Sequence, residues 1–271
     1  MMNKKILHNE VGYLQTAKME FPTWDLFKNL IVEVKQRDFP MQELGSSPMA
    51  CPDKTLIPVS GTPQLKSIIG GNVFVGIDVP VLLSPKDRGM GKTIIIVGES
   101  PLRNTKDFKN STDILLGTPY AIHQEFGCPP QCNVYKKIFS NLLAEGYSIY
   151  LTDAIKVWWK NKKKQPEQYN SNILEQELCR FPNATIVTFG NTAKNAINSI
   201  SPQKSFCDLL HPSQLNWNNW KLHIFEKAIY EKKDINYATD LFPNKEESIS
   251  EVIVANEAVK EILEYCSKTN I

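Results

Sequence analysis

The sequence predicts an α/β protein: a three-layer α/β/α sandwich around a central, mainly parallel four-stranded sheet. Two observations lead there. From Thr93 to about residue 235, short apolar runs alternate with segments whose apolar residues recur at helical spacing. The first run, "TIIIVG" (Thr93–Gly98), is apolar without interruption, as expected of a strand covered on both faces. Strands separated by helices join through right-handed crossovers, so their C-terminal ends share one edge, where such sheets hold their sites.

Each element has its own justification. "TWDLFKNLIVEVKQR", residues 23–37, predicts a helix capped by Thr23, with Trp24, Phe27, Ile31 and Val34 on one face. Residues 40–92 are rich in Pro, Gly and β-branched residues and predict extended segments and turns. After the strand at 93–98, "NVYKKIFSNLLAEG" places Tyr135, Ile138, Phe139, Leu142 and Leu143 on one helical face and stops at Gly146. "YSIYLTD" predicts the second strand. A helix around 166–180 follows, with Ile173, Leu174, Leu178 and Phe181 inward. "ATIVTFG", "NTAKNAINSI" and "SFCDLLHP" predict strand, helix and short strand, and "WKLHIFEKAIYEKK" the last core helix. The chain therefore divides into an N-terminal helix and extended region (1–92), a core (93–235) and a C-terminal helical appendage (236–271) that packs on it.

Composition narrows the function classes. The 271 residues suffice for a sizeable core, and a net charge of +2 selects no partner, so a nucleic-acid site must be a local basic patch. No apolar run is long enough to span a bilayer, and "MMNKKILHNE" leads into no signal sequence, so a cytoplasmic protein with no membrane partner is expected. None of the six cysteines forms a CxxC pair, which points to reduced thiols and to no metal site. A monomer is expected.

The strand ends carry the chemistry. Gly98, Glu99, Ser100 and Pro101 follow the first strand. Thr152, Asp153 and Lys156 close the second. Gly190 and Asn191 follow the third, and His211, Pro212 and Ser213 the fourth. Gly-Lys-Thr at 91–93 resembles the end of a phosphate loop. Such a loop, however, follows a strand and opens a helix, and here it precedes the strand, with Lys86 where the leading Gly belongs.

Taken together and in order, "IIIVGESP", "GTPYAIHQ", "YLTDAIK", "TIVTFGNTA" and "LLHPS" resemble the uracil-DNA glycosylase superfamily, nearest the branch whose first motif is Gly-Glu-Ala-Pro-Gly. The resemblance covers about Ile94 to Ser213, roughly half the chain. It implies hydrolysis of the bond between a flipped-out, damaged or deaminated base and deoxyribose in DNA. The sugar would develop oxocarbenium-like charge while the base leaves as an anion.

By that resemblance the catalytic residues are Glu99 on the sugar side, His211 as donor to the base carbonyl, and Ser100, which could hold the water. Leu102 replaces the closing Gly of the first motif. Gly98, Tyr120 and Asp153 fall in the base pocket. Tyr120 stands where the family stacks a Phe, ordinary core packing being the rival reading. Ser213 is expected on a phosphate flanking the flipped nucleotide. Lys156 and Lys160, within a run that continues through Lys162, Lys163 and Lys164 around Trp158 and Trp159, are expected on the DNA backbone. Leu215 or Trp217 would wedge into the duplex.

Asp153 departs from the family's Asn. An ionised Asp only accepts hydrogen bonds, whereas uracil presents N3–H beside O4, so an Asp facing O4 opposes two acceptors. Three alternatives stand: a proton retained on Asp153 by burial, a base edge presenting two donors, or a protein that no longer excises uracil. The branch's four-cysteine iron–sulfur cluster is not expected, because Val157 occupies one cysteine position, the N-terminal CxxC is missing, and Cys179 alone matches. No cofactor is expected. The competing functions are a DNA glycosylase of altered base preference, a non-catalytic nucleic-acid- or nucleotide-binding relative, and a hydrolase of free nucleosides or nucleotides.

Overall fold

The structure is a computed structural model that describes residues 17–27, 29–30, 57–60, 75–85, 91–101, 113–120, 122, 133–159, 168–230 and 250–269. In chain order the strands are β1 (Lys18–Glu20), β2 (Ile57–Ser60), β3 (Val75–Asp78), β4 (Val81–Ser84), β5 (Thr93–Gly98), β6 (Asp113–Gly117), β7 (Ser148–Asp153), β8 (Val157–Trp159), β9 (Thr185–Phe189) and β10 (Cys207–Leu209). The helices are α1 (Asn133–Ala144), α2 (Gln168–Cys179), α3 (Asn191–Ile200), α4 (Trp217–Tyr230) and α5 (Glu251–Thr269).

The central sheet has six strands in the order β1-β4-β7-β5-β9-β10. The four strands expected from the sequence are its parallel part, β7-β5-β9-β10. The other two come from the N-terminal region: β4 adds antiparallel to β7, and β1 antiparallel to β4. The expected four-stranded sheet is corrected to six, because β4 covers the open edge of β7 that would otherwise present unpaired backbone groups. A second sheet, β2-β6-β3-β8, draws on the extended region (β2, β3), on the segment between β5 and α1 (β6) and on the segment after β7 (β8).

Both faces of the parallel strands are buried, which is why "TIIIVG" shows no alternation. Ile94 and Ile96 join one apolar cluster with Phe139, Trp220, Val254 and Ile262, from α1, α4 and α5. Ile95 and Val97 join the other, with Leu174, Leu178, Ala193 and Ile197 from α2 and α3. Period-2 alternation thus sends successive residues into different helix layers, each fully buried side chain contributing about 1.5–3 kcal/mol. α5 packs on the sheet from the same side as α1: its Val254, Ala255, Ala258, Val259, Ile262 and Cys266 are part of the main core. Among the described residues, no helix is long and apolar enough to cross a membrane.

Local signals in the sequence act where expected, with one exception. α1 ends in a Schellman-type cap: Gly146 sits at φ +90°, with Tyr147 N–H on Leu142 O (3.1 Å) and Gly146 N–H on Leu143 O (3.0 Å). Gly91 of the Gly-Lys-Thr turn packs on this cap so closely that a Cβ there would stand 2.2 Å from Gly146 O. That close approach accounts for the glycine without any phosphate. The first helix is present at 24–27 and 29–30, and its continuation to 37 lies outside the described residues. The Thr23 hydroxyl does not serve as its side-chain cap. It bonds the Tyr150 hydroxyl at 2.8 Å instead.

Candidate active site

The C-terminal ends of β5, β7, β9 and β10 open onto one cavity of about 990 Å³, large enough for a nucleotide. Glu99, Ser100, Tyr120, Asp153, His211, Ser213 and Leu215 all line it. Strand register brings them there. Gly98 pairs with Asp153 across β5 and β7, and the ladder continues beyond the strands, with Ala154 N–H on Gly98 O and Ile155 N–H on Glu99 O, both 2.9 Å. The backbones carrying the two carboxylates are therefore fixed against each other.

His211 is held from several directions. Gly190 lies at φ +86°, in the left-handed region that favours glycine, and a Cβ there would stand 3.3 Å from His211 Cβ. Trp220, fully buried, donates its indole N–H to His211 O at 3.4 Å. The ring's Nδ1 receives the backbone N–H of Ser213 (3.3 Å) and faces the Tyr135 hydroxyl at 3.2 Å. A backbone N–H can only donate, so Nδ1 accepts and the proton of the neutral ring resides on Nε2. Burial lowers the His211 pKa below its ordinary 6.5, opposed by the nearby Glu99 charge. The site thus holds a neutral imidazole with an Nε2–H donor near a carboxylate.

Tyr120 is the one described non-glycine residue with positive φ, +57°. Such a backbone costs of order 1–3 kcal/mol and persists only where surrounding contacts fix it. Here the fixing contacts are aromatic: Tyr120 packs on Tyr135, Phe139 and Phe189 with ring centroids 4.7, 5.4 and 6.2 Å away. Core packing and cavity lining are therefore both true of this side chain. Its hydroxyl lies by Gly98, where a Cβ would meet it at 2.7 Å and Asp153 Oδ1 at 2.6 Å. Burial first, then the charge of Asp153, raises the Tyr120 pKa well above its ordinary value. That hydroxyl has no hydrogen-bond partner among the described residues.

Two expected DNA contacts change place. Lys156 is 1% exposed, and its ammonium pairs with the fully buried Glu177 of α2. It also donates to Thr152 Oγ1 at 2.7 Å. Glu177 Oε1 further accepts from Tyr150 (2.7 Å) and Thr152 (2.9 Å). Lys156 is therefore an internal cation behind β7 and is withdrawn as a backbone contact. Trp217 is tied down by its indole N–H on Pro212 O (3.2 Å) and packs on the core, which leaves Leu215, 94% exposed at the cavity rim, as the projecting apolar side chain. Leu102, Lys160 and Lys162–Lys164 lie outside the described residues.

The cavity also contains residues that the sequence did not single out. Asp78, at the end of β3, brings a further carboxylate, and Tyr135 supports both His211 and Tyr120. Asn219 and His223 extend the wall along α4. Tyr135 could have been suspected from its place on the inward face of α1. Asp78 could not, because nothing local says that β3 ends at the site.

The two positions compared above with the branch's iron–sulfur cysteines lie within the described residues. Val157 is a buried β8 residue, Cys179 is exposed at the end of α2, and no group of three His, Cys, Asp or Glu among the described residues could hold a metal ion.

A family model described as "Uracil DNA glycosylase superfamily" matches residues 87–233, more than half the chain and the whole parallel sheet. Comparison with curated proteins and with solved structures gives no match. With a mainly parallel sheet between helix layers, and with the strand-end carboxylate, histidine and aromatic in one cavity, the chain belongs to the uracil-DNA glycosylase superfamily.

Proposed function

We propose that this protein is a DNA glycosylase that hydrolyses the N-glycosidic bond of a damaged or deaminated base turned out of DNA into the cavity. The observation that carries the reading is the pairing of Glu99 with an imidazole kept neutral and protonated at Nε2. Glycosidic cleavage leaves positive charge on the sugar and negative charge on the base. Glu99 stabilises the first and orients the attacking water with Ser100. The Nε2–H of His211 donates to a base carbonyl and strengthens as the base becomes an anion. A neutral donor suits that task, because it need not release a proton to act.

The rim completes the proposal. Leu215 takes the space vacated by the flipped nucleotide, and Ser213 contacts a flanking phosphate. Asn216 Nδ2 donates to Ser213 Oγ at 3.3 Å, which orients that hydroxyl. The protein acts on DNA as a monomer in the cytoplasm. One observation favours a second reading, a non-catalytic nucleic-acid-binding relative: Asp153 stands where the resemblance implies Asn.

Labelled oligonucleotides carrying uracil, hypoxanthine, xanthine or mismatched normal bases decide between them. Alkaline cleavage after incubation reveals abasic sites. Cleavage at one or more of these bases is expected. Binding without cleavage of any substrate would reject the enzyme in favour of the second reading.

A further inference from the structure

His211 Nδ1 has two neighbours: the Ser213 backbone N–H at 3.3 Å, from its own loop, and the Tyr135 hydroxyl at 3.2 Å, from α1. The Ser213 N–H can only donate, so Nδ1 carries a lone pair, and a hydroxyl facing that nitrogen must donate too. Both distances are long for a hydrogen bond, which suits two donors sharing one in-plane lone pair. The Tyr135 ring that delivers the second donor is fixed on several sides. It is buried, and it stacks on Phe139, one turn along α1, with centroids 6.4 Å apart. It meets Tyr120 at 4.7 Å and stands edge-on to the His211 ring at 5.9 Å and 74°. Phe139 and Leu142, on the same face of α1, are fully buried without any polar group. A phenylalanine would fill this apolar space as well as a tyrosine, so packing alone does not account for the hydroxyl.

We propose that Tyr135 is a positioning residue for His211: its hydroxyl, donated to Nδ1, holds the ring plane, keeps the ring proton on Nε2 and makes that proton a stronger donor to the departing base. The last of these effects rests on the base-excision reading. Density drawn from Nδ1 toward the phenolic proton polarises the ring, so the Nε2–H bond to an oxygen gaining negative charge strengthens. Ser213 holds Nδ1 from the loop and Tyr135 holds it from α1, and a ring tied to two elements swings less than a ring tied to one. The opposite tautomer would set an Nδ1 proton against the Ser213 N–H. It would also leave Nε2 as a bare lone pair facing an oxygen that becomes an anion.

The test uses the full chain labelled with ¹⁵N at histidine. Multiple-bond ¹H–¹⁵N correlation spectra at mildly alkaline pH report which ring nitrogen carries the proton, and the spectrum of His211→Asn assigns the signal. The wild type is expected to show Nε2 protonated and Nδ1 bare, with Nδ1 shifted upfield by the bonds it accepts. Tyr135→Phe should move Nδ1 downfield, toward the value of a free acceptor. It should also lower the single-turnover excision rate about threefold to tenfold, with Kd for DNA within about twofold of wild type. A tyrosine that only packs would alter the melting temperature without moving Nδ1. An unmoved Nδ1 resonance, or a moved one with an unchanged excision rate, would overturn the proposal.

Should Tyr135→Phe fail to fold, judged by thermal melting, the wild type alone still decides. Its Tyr135 hydroxyl proton should give a resolved, slowly exchanging resonance with a nuclear Overhauser contact to the His211 ring, and a proton found on Nδ1 would overturn the proposal. The spectra need no substrate, which separates the two claims. Nδ1 moved by Tyr135→Phe, with no oligonucleotide cleaved by the wild type, removes the excision reading and leaves the Tyr135–His211 link standing. Cleavage by the wild type with Nδ1 unmoved in Tyr135→Phe does the reverse.

Discussion

Replacing Lys156 by Ala tests whether this lysine is a structural cation or a DNA contact. The ammonium is 1% exposed and Glu177 is fully buried, so the variant leaves a carboxylate with no compensating charge and no access to water. Removing one member of such a pair costs about 3–5 kcal/mol. For a chain of this size that is about 6–20 °C in Tm. The loss should not be repeated in full by the double variant K156M/E177Q. Its glutamine is neutral yet retains a carbonyl to accept from Tyr150 and Thr152, the groups that now donate to Glu177 Oε1. Urea unfolding followed by fluorescence of the five tryptophans measures both. The second measurement is the salt dependence of DNA affinity. A phosphate-contacting lysine contributes about one unit to the slope of log K against log salt, and an internal one contributes none. A K156A protein within about 0.5 kcal/mol of wild type, with a slope reduced by about one, would refute the reasoning.

Other consequences follow from the same geometry. Burial depresses the His211 pKa, so the folded state binds fewer protons at this site than the unfolded chain; its contribution to stability is present above pH 6.5 and is lost as pH falls through the depressed value, and an NMR titration of the His211 ring with a midpoint above 6.5 would contradict this. His223 is the opposite case: its hydrogen bond to Glu261 at 2.8 Å raises the pKa, so its stabilisation is complete below 6.5 and is lost as pH rises through the raised value, which His223→Gln should abolish from the pH–stability curve. Gly190→Ala should cost about 1–2 kcal/mol, because φ is +86°, and should slow excision further by pressing on His211; a melt and a rate both unchanged would count against the packing described. Leu215→Ala should leave stability within about 0.5 kcal/mol while weakening binding to duplex DNA, as measured by anisotropy.

The parallel core was legible because its signals are local. Uninterrupted apolar strands, helical periodicity and Gly146 each act within a few residues, and the strand ends then deliver Glu99, Asp153 and His211 to one edge by topology alone. What was not legible depends on partners far away in sequence. Lys156 looked like the start of a basic loop because Glu177 lies 21 residues on, in a helix read only for its apolar face. Glu177 follows Leu174 by three positions and so shares its buried side, the one hint that an internal cation was needed. Thr23 looked like a cap for the same reason: its real partner, Tyr150, is 127 residues away. The two extra strands escaped because β1 is only three residues long and β4 is uniformly buried, so neither shows alternation. Asp153 and Tyr120 looked unrelated in sequence, and only the space above Gly98 joins them.

The central claim is that Glu99 and His211 together break a glycosidic bond. Single-turnover excision of the best substrate from the oligonucleotide panel, compared among wild type, Glu99→Gln and His211→Asn, tests it most directly, with melting curves confirming that all three fold. The account predicts that each substitution lowers the rate by about 100-fold or more with little change in DNA affinity, since both residues act on charge that develops in the transition state. Variants that excise the base as fast as wild type would contradict it.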